Sequence, residues 1–151
     1  HPAAAPWGPG PLGARRPDVA FGADLIAGFP TEDEAHFENS LRLIEACDIA
    51  FLHAFPYSPR KGTPAARMPQ LDRALVKDRA ARLRAAGDAA LQKHFQKHIG
   101  QEREALVERG ASARLADFTP VRLAIDPQAD GLTRRVKITG ADARSLKGAV
   151  I

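Results

Sequence analysis

Two segments constrain this chain more than any other: Gly22-Ala-Asp-Leu-Ile-Ala-Gly-Phe-Pro-Thr-Glu32 and Phe55-Pro-Tyr-Ser-Pro-Arg-Lys-Gly-Thr-Pro-Ala65. Each follows or contains an apolar run and ends in Gly/Pro chemistry, and a helical pattern lies between them. Parallel strands need such a crossover. Strand–helix–strand is the repeating unit of an α/β barrel, whose chemistry sits just beyond the strand ends. Val19 to Phe29 is nearly continuous in apolar character, as in a parallel sheet covered on both faces. Asp24 breaks that run. A carboxylate there needs a partner within the fold or a polar cavity, and both readings stand.

Thr31 and Glu34 have the spacing of a capping box, and the acids of Glu32-Asp-Glu34 suit the positive end of a helix. Phe37, Leu41, Ile44 and Cys47 then fall on one helical face that ends near Asp48. Cys47 is read as a small core residue. Ile49 to Phe55 predicts the next strand, ended by Pro56 and Pro59. His53 lies in this apolar run and reads as a core histidine; His36 reads as a surface residue. The loop that follows is long, and long loops often carry function; Tyr57, Ser58, Arg60 and Thr63 offer donors there. Residues 71–99 predict a long helix or helix pair with a stripe of Leu71, Leu75, Leu83, Leu91, Phe95 and Ile99, interrupted by Gly87 and ended by Gly100. Beyond it, Glu104–Glu108, Phe118–Ile125, Arg134–Thr139 and Leu146–Ile151 read as strands. Gly110, Asp126-Pro127, Asp130-Gly131 and Gly140 separate them, which suggests a small antiparallel barrel.

Composition removes several classes. Residues 1–14 are rich in Pro, Gly and Ala and predict no regular structure, with Trp7 exposed or loosely docked. The single cysteine excludes a disulfide framework. No apolar run approaches a membrane span, and the N-terminus lacks the pattern of a secretory signal, so a cytoplasmic location is expected. Charge is uneven: residues 1–71 carry 6 Lys/Arg against 8 Asp/Glu, residues 72–109 carry 9 against 6, and residues 110–151 carry 7 against 4. A basic C-terminal half fits a polyanion such as nucleic acid, or is simply a soluble surface with a surplus of cations.

Gly22–Glu32 is not a phosphate loop, because Phe-Pro-Thr-Glu replaces the Gly-Lys-Ser/Thr such a loop requires. His94, His98 and Glu102 recur every four residues, as a metal tripod on one helix would. Gly100 interrupts the last step, however, and a solvated helix face is the expected reading. No Ser/His/Asp or Cys/His pairing is supported by local order.

The two motifs, in this order and spacing, resemble the radical-SAM tRNA methylthiotransferases of the MiaB, RimO and MtaB type. Phe21-Gly-Ala-Asp-Leu-Ile-Ala-Gly-Phe-Pro-Thr-Glu32 resembles the fifth strand and turn of the radical-SAM domain. His53-Ala-Phe-Pro-Tyr-Ser-Pro-Arg-Lys-Gly-Thr-Pro-Ala-Ala-Arg-Met-Pro69 resembles the sixth strand and its loop. Thr31, where the MiaB and RimO branches generally have glycine, is typical of the MtaB branch. The resemblance implies an α/β fold, the C-terminal part of a radical-SAM partial TIM barrel, over residues 15–70. A linker helix over 71–99 and a TRAM-like antiparallel β-barrel over 100–151 complete it. It also implies a transferase that adds a methylthio group to threonylcarbamoyladenosine beside the tRNA anticodon, using S-adenosyl-L-methionine and two [4Fe–4S] clusters.

The Cys-x-x-x-Cys-x-x-Cys motif of that family is absent, so the chain is expected to be a C-terminal fragment, inactive alone. Its expected partners are tRNA and the missing N-terminal portion of the same protein, not DNA or a membrane. By resemblance Asp24, Ile26, Gly28, Phe55 and Tyr57 border S-adenosylmethionine. Arg114, Arg122, Arg134, Arg135 and Lys137 are candidate tRNA phosphate contacts; no residue is assigned to a metal or to catalysis. Arg60 orders its loop, meets an anion or forms an ion pair. A non-catalytic RNA-binding module and a RimO-type enzyme acting on a ribosomal protein are the alternatives.

Overall fold

The computed structural model describes residues 16, 18–125 and 127–151. The irregular stretch expected at 1–14, with Trp7, and Asp126 of one expected turn lie outside the described residues. The described chain divides into two compact units, Phe21–Leu91 and Asp18–Ala20 with Gln92–Ile151.

The first unit begins with strands β1 (Phe21–Ala27) and β2 (Ile49–Pro56), which pair in parallel around helix α1 (Glu34–Ala46). Register sets Asp24 beside His53 and Ile26 beside Phe55. Side chains alternate across a sheet. Ala23, Leu25, Ala27, Leu52 and Ala54 therefore face a core built on Phe37, Ile44, Ile49, Ala80 and Leu83. The opposite face carries Asp24, Ile26, His53 and Phe55, all exposed. This corrects the expectation of a sheet covered on both faces: among the described residues, the helices of this unit cover one side only. The same alternation makes His53 a surface residue stacked on Phe55, at 6.5 Å between ring centroids, and not a core histidine.

Helix α1 also starts differently from expectation. Its cap is Asp33, which accepts from the His36 amide at 2.8 Å while His36 Nδ1 accepts from the Asp33 amide at 3.4 Å. Glu34 is the first helical residue, and its carboxylate pairs with Arg79 and Arg82 instead. The helix ends at Ala46 with Cys47 as its cap, and Asp48 beyond it has a φ of 48° in the left-handed region. Cys47 packs against the edge of the core, as expected.

A 3-10 turn at Ala65–Arg67 follows the loop after β2, and Asp72 then accepts from the amides of Ala74 and Leu75 to start helix α2 (Arg73–His98). Gly87 does not interrupt this helix. It allows close approach instead: a Cβ there would lie 2.9 Å from Leu52 Cβ. The buried face keeps Leu83 and Phe95 of the expected stripe but not its other members. Leu75 and Ile99 are exposed, and Val76, Arg79, Ala80, Leu83, His94, Phe95 and His98 are buried.

The second unit closes a small five-stranded barrel of β3 (Glu102–Val107), β4 (Ser112–Leu115), β5 (Pro120–Leu123), β6 (Thr133–Ala141) and β7 (Leu146–Val150), in the order β3-β4-β5-β7-β6. It is mixed, not antiparallel, since β5 and β7 run parallel. Strand β4 escaped the sequence pattern because only Ala113 and Leu115 of its four residues point inward. The expected strand over 118–125 is shorter. Phe118 has φ 66° and is 75% exposed, and Ile125 also lies outside the barrel. Val107, Val136, Ile138 and Leu146 fill the interior, as alternate positions of a small barrel must.

Candidate functional site

The strand-end turn after β1 is held by charge. Glu32 accepts from the Gly28 amide at 2.9 Å and from Arg79 Nη1 at 2.8 Å, and Arg79 Nη2 reaches Glu34 at 2.9 Å. The Arg79 and Arg82 guanidinium carbons lie 5.3 and 4.4 Å from the Phe37 ring centroid. Hydrogen bonds from Arg79 and then Arg82 hold the Glu34 carboxyl below its ordinary value, against the effect of desolvation. Gly28, with φ 82°, passes so close to Val76 that a Cβ would sit 2.6 Å from a Val76 methyl. Its glycine is thus explained by packing on α2.

Of the five residues assigned to S-adenosylmethionine, Asp24, Ile26 and Phe55 lie together on the exposed face of the two-stranded sheet. Ile26 is 59% and Phe55 50% exposed, a high value for neighbouring apolar side chains. Gly28 is buried at the end of that strand. The Tyr57 amide donates to Ala27 at 2.8 Å, its ring meets Phe29 edge-on at 5.4 Å, and its hydroxyl is buried without a hydrogen-bond partner. In the loop beyond, the Arg60 carbonyl accepts from the Thr63 hydroxyl at 2.8 Å while the Arg60 side chain is exposed. Cys47, the only cysteine, is half-buried against the core. One such thiol does not fit the ligand set of an iron–sulfur cluster, which takes several thiolates.

The four arginines and one lysine expected to meet phosphate divide by strand alternation. Arg114, Arg122, Arg135 and Lys137 alternate with the inward residues and lie on the outer surface, whereas Arg134 has the parity of Val136 and Ile138 and is half-buried. Arg114 pairs with Glu108 at 2.7 Å; Glu102 lies 3.0 Å from Arg135 and 4.0 Å from Lys137. Arg122 is exposed and stands beside Lys147 in the parallel β5–β7 register. Lys147 was missed in the sequence because parallel pairing was not foreseen.

His94 and His98 correct another expectation. They are buried, not on a solvated helix face, and Glu102 of β3 is engaged with Arg135 of β6. Asp117, after β4, supplies the third group. The ligand-type atoms of His94, His98 and Asp117 all lie within 4.8 Å of one another. Burial alone would push the Asp117 carboxyl up, but hydrogen bonds with His94, His98 and Thr119 hold it well below the usual carboxylate range. No helix among the described residues is long and apolar enough to cross a membrane.

No family model matches the chain. It is similar to threonylcarbamoyladenosine tRNA methylthiotransferase MtaB of Rickettsia prowazekii, with 51% identity over 112 residues, 74% of this chain and 27% of the relative. It is similar to the tRNA-2-methylthio-N(6)-dimethylallyladenosine synthase of Chromobacterium violaceum, with 37% identity over 147 residues, 91% of this chain and 33% of the relative. The corresponding synthase of Protochlamydia amoebophila is 36% identical over 140 residues, 87% of this chain and 31% of the relative. The chain thus spans between about a quarter and a third of the length of these relatives. Identity of this degree, running through most of the chain, makes it a member of the MtaB and MiaB-type tRNA methylthiotransferase family.

Proposed function

We propose that this chain is the part of an MtaB-like methylthiotransferase that contributes one wall of the S-adenosylmethionine site and docks tRNA, the modified base being threonylcarbamoyladenosine. The observation that carries the choice of branch is the 51% identity to the MtaB relative, against 37% to a dimethylallyladenosine synthase. In this proposal residues 15–70 belong to a radical-SAM partial barrel, 71–99 are the linker helix, and 100–151 are a TRAM-like module. When bound, S-adenosylmethionine supplies the methyl group.

The exposed face of β1 and β2 supports a role in holding it. Ile26 and Phe55 offer apolar surface to the adenosine, and Asp24 offers a carboxylate to a cationic or hydroxyl-bearing part of the ligand. Ile26 and Phe55 are already about half buried, so covering the rest contributes about 1–1.5 kcal/mol each. Gly28 and Tyr57 set the strand ends, one by packing on Val76 and the other by its amide bond to Ala27.

For tRNA, Arg122 and Lys147 form the best-placed pair, because register sets them side by side on the barrel's outer face. Arg114, Arg135 and Lys137 must first exchange their carboxylate partners for phosphates, which reduces their net contribution. The test is a gel shift of tRNA with this chain across a salt series. Binding that falls steeply with salt, with a slope reduced by about one for each phosphate-contacting cation removed, is expected for Arg122→Ala and Lys147→Ala. Unchanged binding and slope in the double variant would remove the barrel face from the proposal.

A further inference from the structure

The end of α2 and the turn between β4 and β5 bring four polar side chains to one buried point. His94 Nε2 lies 2.8 Å from Thr119 Oγ1 and 3.3 Å from His98 Nε2. Asp117 Oδ2 lies 3.5 Å from His94 Nε2 and 3.2 Å from His98 Nε2. The three side chains are about one-tenth exposed or less. Asp117 is aimed by its other oxygen, Oδ1, which accepts from the Thr119 amide at 3.0 Å. Phe118, between them, is held at φ 66°, a conformation a bulky residue adopts only when its surroundings impose it.

Protons satisfy this arrangement only in part. Each Nε2 carries one hydrogen or one lone pair. If both histidines carry the hydrogen on Nε2, two N–H groups face each other across 3.3 Å. If His94 lacks it, the Thr119 hydroxyl can donate to His94 Nε2 at 2.8 Å, but that nitrogen also faces the Asp117 carboxylate at 3.5 Å; if His98 lacks it, its lone pair faces the carboxylate at 3.2 Å. A cation between the three atoms meets all three lone pairs at once. The distances fit that arrangement: tetrahedral ligands about 2.0–2.1 Å from a metal are about 3.3 Å from one another. Two imidazoles and a carboxylate suit zinc or a neighbouring first-row divalent ion, whereas calcium and magnesium prefer all-oxygen sites.

We propose that His94 Nε2, His98 Nε2 and Asp117 Oδ2 bind a divalent transition-metal ion of the zinc type, with the Thr119 hydroxyl or a water as fourth ligand. The ion joins the last turns of α2 to the β4–β5 turn and is structural. Binding places the His98 proton on Nδ1, which is buried without a partner. The affinity is therefore expected to fall below that of a structural zinc site whose histidines are supported from behind.

The experiment uses the full chain, stripped with chelator and titrated with Co2+ and with Zn2+ alone. The expected result is one ion per chain, a visible Co2+ spectrum of tetrahedral intensity, displacement by Zn2+, and a rise in Tm with added Zn2+. His98→Gln and Asp117→Asn are expected to weaken binding by more than the ~10–100-fold typical of losing an outer-shell partner. Glu102→Gln and Cys47→Ser are expected to leave it unchanged. Circular dichroism checks that the variants fold. If they do not, the unmodified protein decides by the 15N shifts of the ring nitrogens, which must move at Nε2 of both histidines on Zn2+ addition. Absence of stoichiometric binding by the unmodified chain overturns the proposal, as does binding that survives in folded His98→Gln and Asp117→Asn or leaves both Nε2 shifts in place.

Discussion

Helix α2 carries two buried polar clusters, one in each unit, and they are built on opposite principles. At Arg79 a full positive charge meets two carboxylates, with Glu32 on Nη1 and Glu34 on Nη2, and Nε alone lacks a partner. The cluster is closed: both terminal nitrogens of the guanidinium are aimed at carboxylate oxygens. At His94 and His98 one carboxylate meets two imidazoles whose nitrogens also face each other. That cluster converges on a point instead of pairing across a line. A buried ion pair fixes geometry at a high cost in desolvation. A convergent set of lone pairs has little to gain until something cationic occupies its centre.

The largest expected effect tests the closed cluster. Arg79→Ala leaves the buried Glu32 carboxylate without its counter-charge and is expected to destabilise the first unit by about 3–5 kcal/mol, measured by chemical denaturation. A loss below about 1 kcal/mol would mean that water replaces the guanidinium there, and the contrast with the second cluster would fail.

Asp117→Asn in chelator-treated protein is expected to cost less, about 2 kcal/mol. It removes charge-assisted hydrogen bonds while stranding no opposite full charge, and the amide oxygen retains the bond from Thr119. A cost equal to that of Arg79→Ala would show that the histidines carry positive charge in the folded protein, so that the second cluster is also an ion pair.

The smallest effect is a pH dependence. The Glu34 carboxyl is held below its ordinary value of 4.5 in the folded chain. Its contribution to stability is therefore complete above that value and is lost as pH falls below it through the lowered folded value. Glu34 is exposed, so solvent screens the interaction and the slope is shallow. Stability measured across the acid range is expected to show this slope flattened in Arg79→Ala. An unchanged slope would place the pairing energy elsewhere.

Much of the first unit was legible in the sequence because its pattern is local. The apolar runs ended by Gly28-Phe-Pro and Pro56, with the Phe37, Leu41, Ile44 stripe between them, specify strand, helix and strand through short-range periodicity. The parallel pairing follows from the crossover. The position of His53 was misjudged, because burial depends on what covers a strand and not on its own composition. In α2 only part of the expected stripe is buried, Leu83 and Phe95. The helix buries Arg79, His94 and His98 and turns Leu75 and Ile99 outward, since small residues such as Ala80 and Gly87 permit the closer approach.

In the barrel, alternation identified most inward positions but not the order of the strands. Arg134 and Arg135 are adjacent in sequence and lie on opposite faces. Arg122 and Lys147 are distant in sequence and lie side by side. Asp117 and Thr119 carried no signal as partners of His94 and His98, because a helix face shows only its own residues.

By itself the sequence determined where most strands and helices form, since 2.0 and 3.6 residue periods and Gly/Pro turns are properties of the local chain. It also determined the family, through two motifs kept in order. Tertiary structure alone decided which polar groups meet. The Arg79–Glu32 pair closes across 47 residues and the His94–Thr119 contact across 25. Such contacts depend on which elements the core brings together, and no short-range pattern encodes that choice.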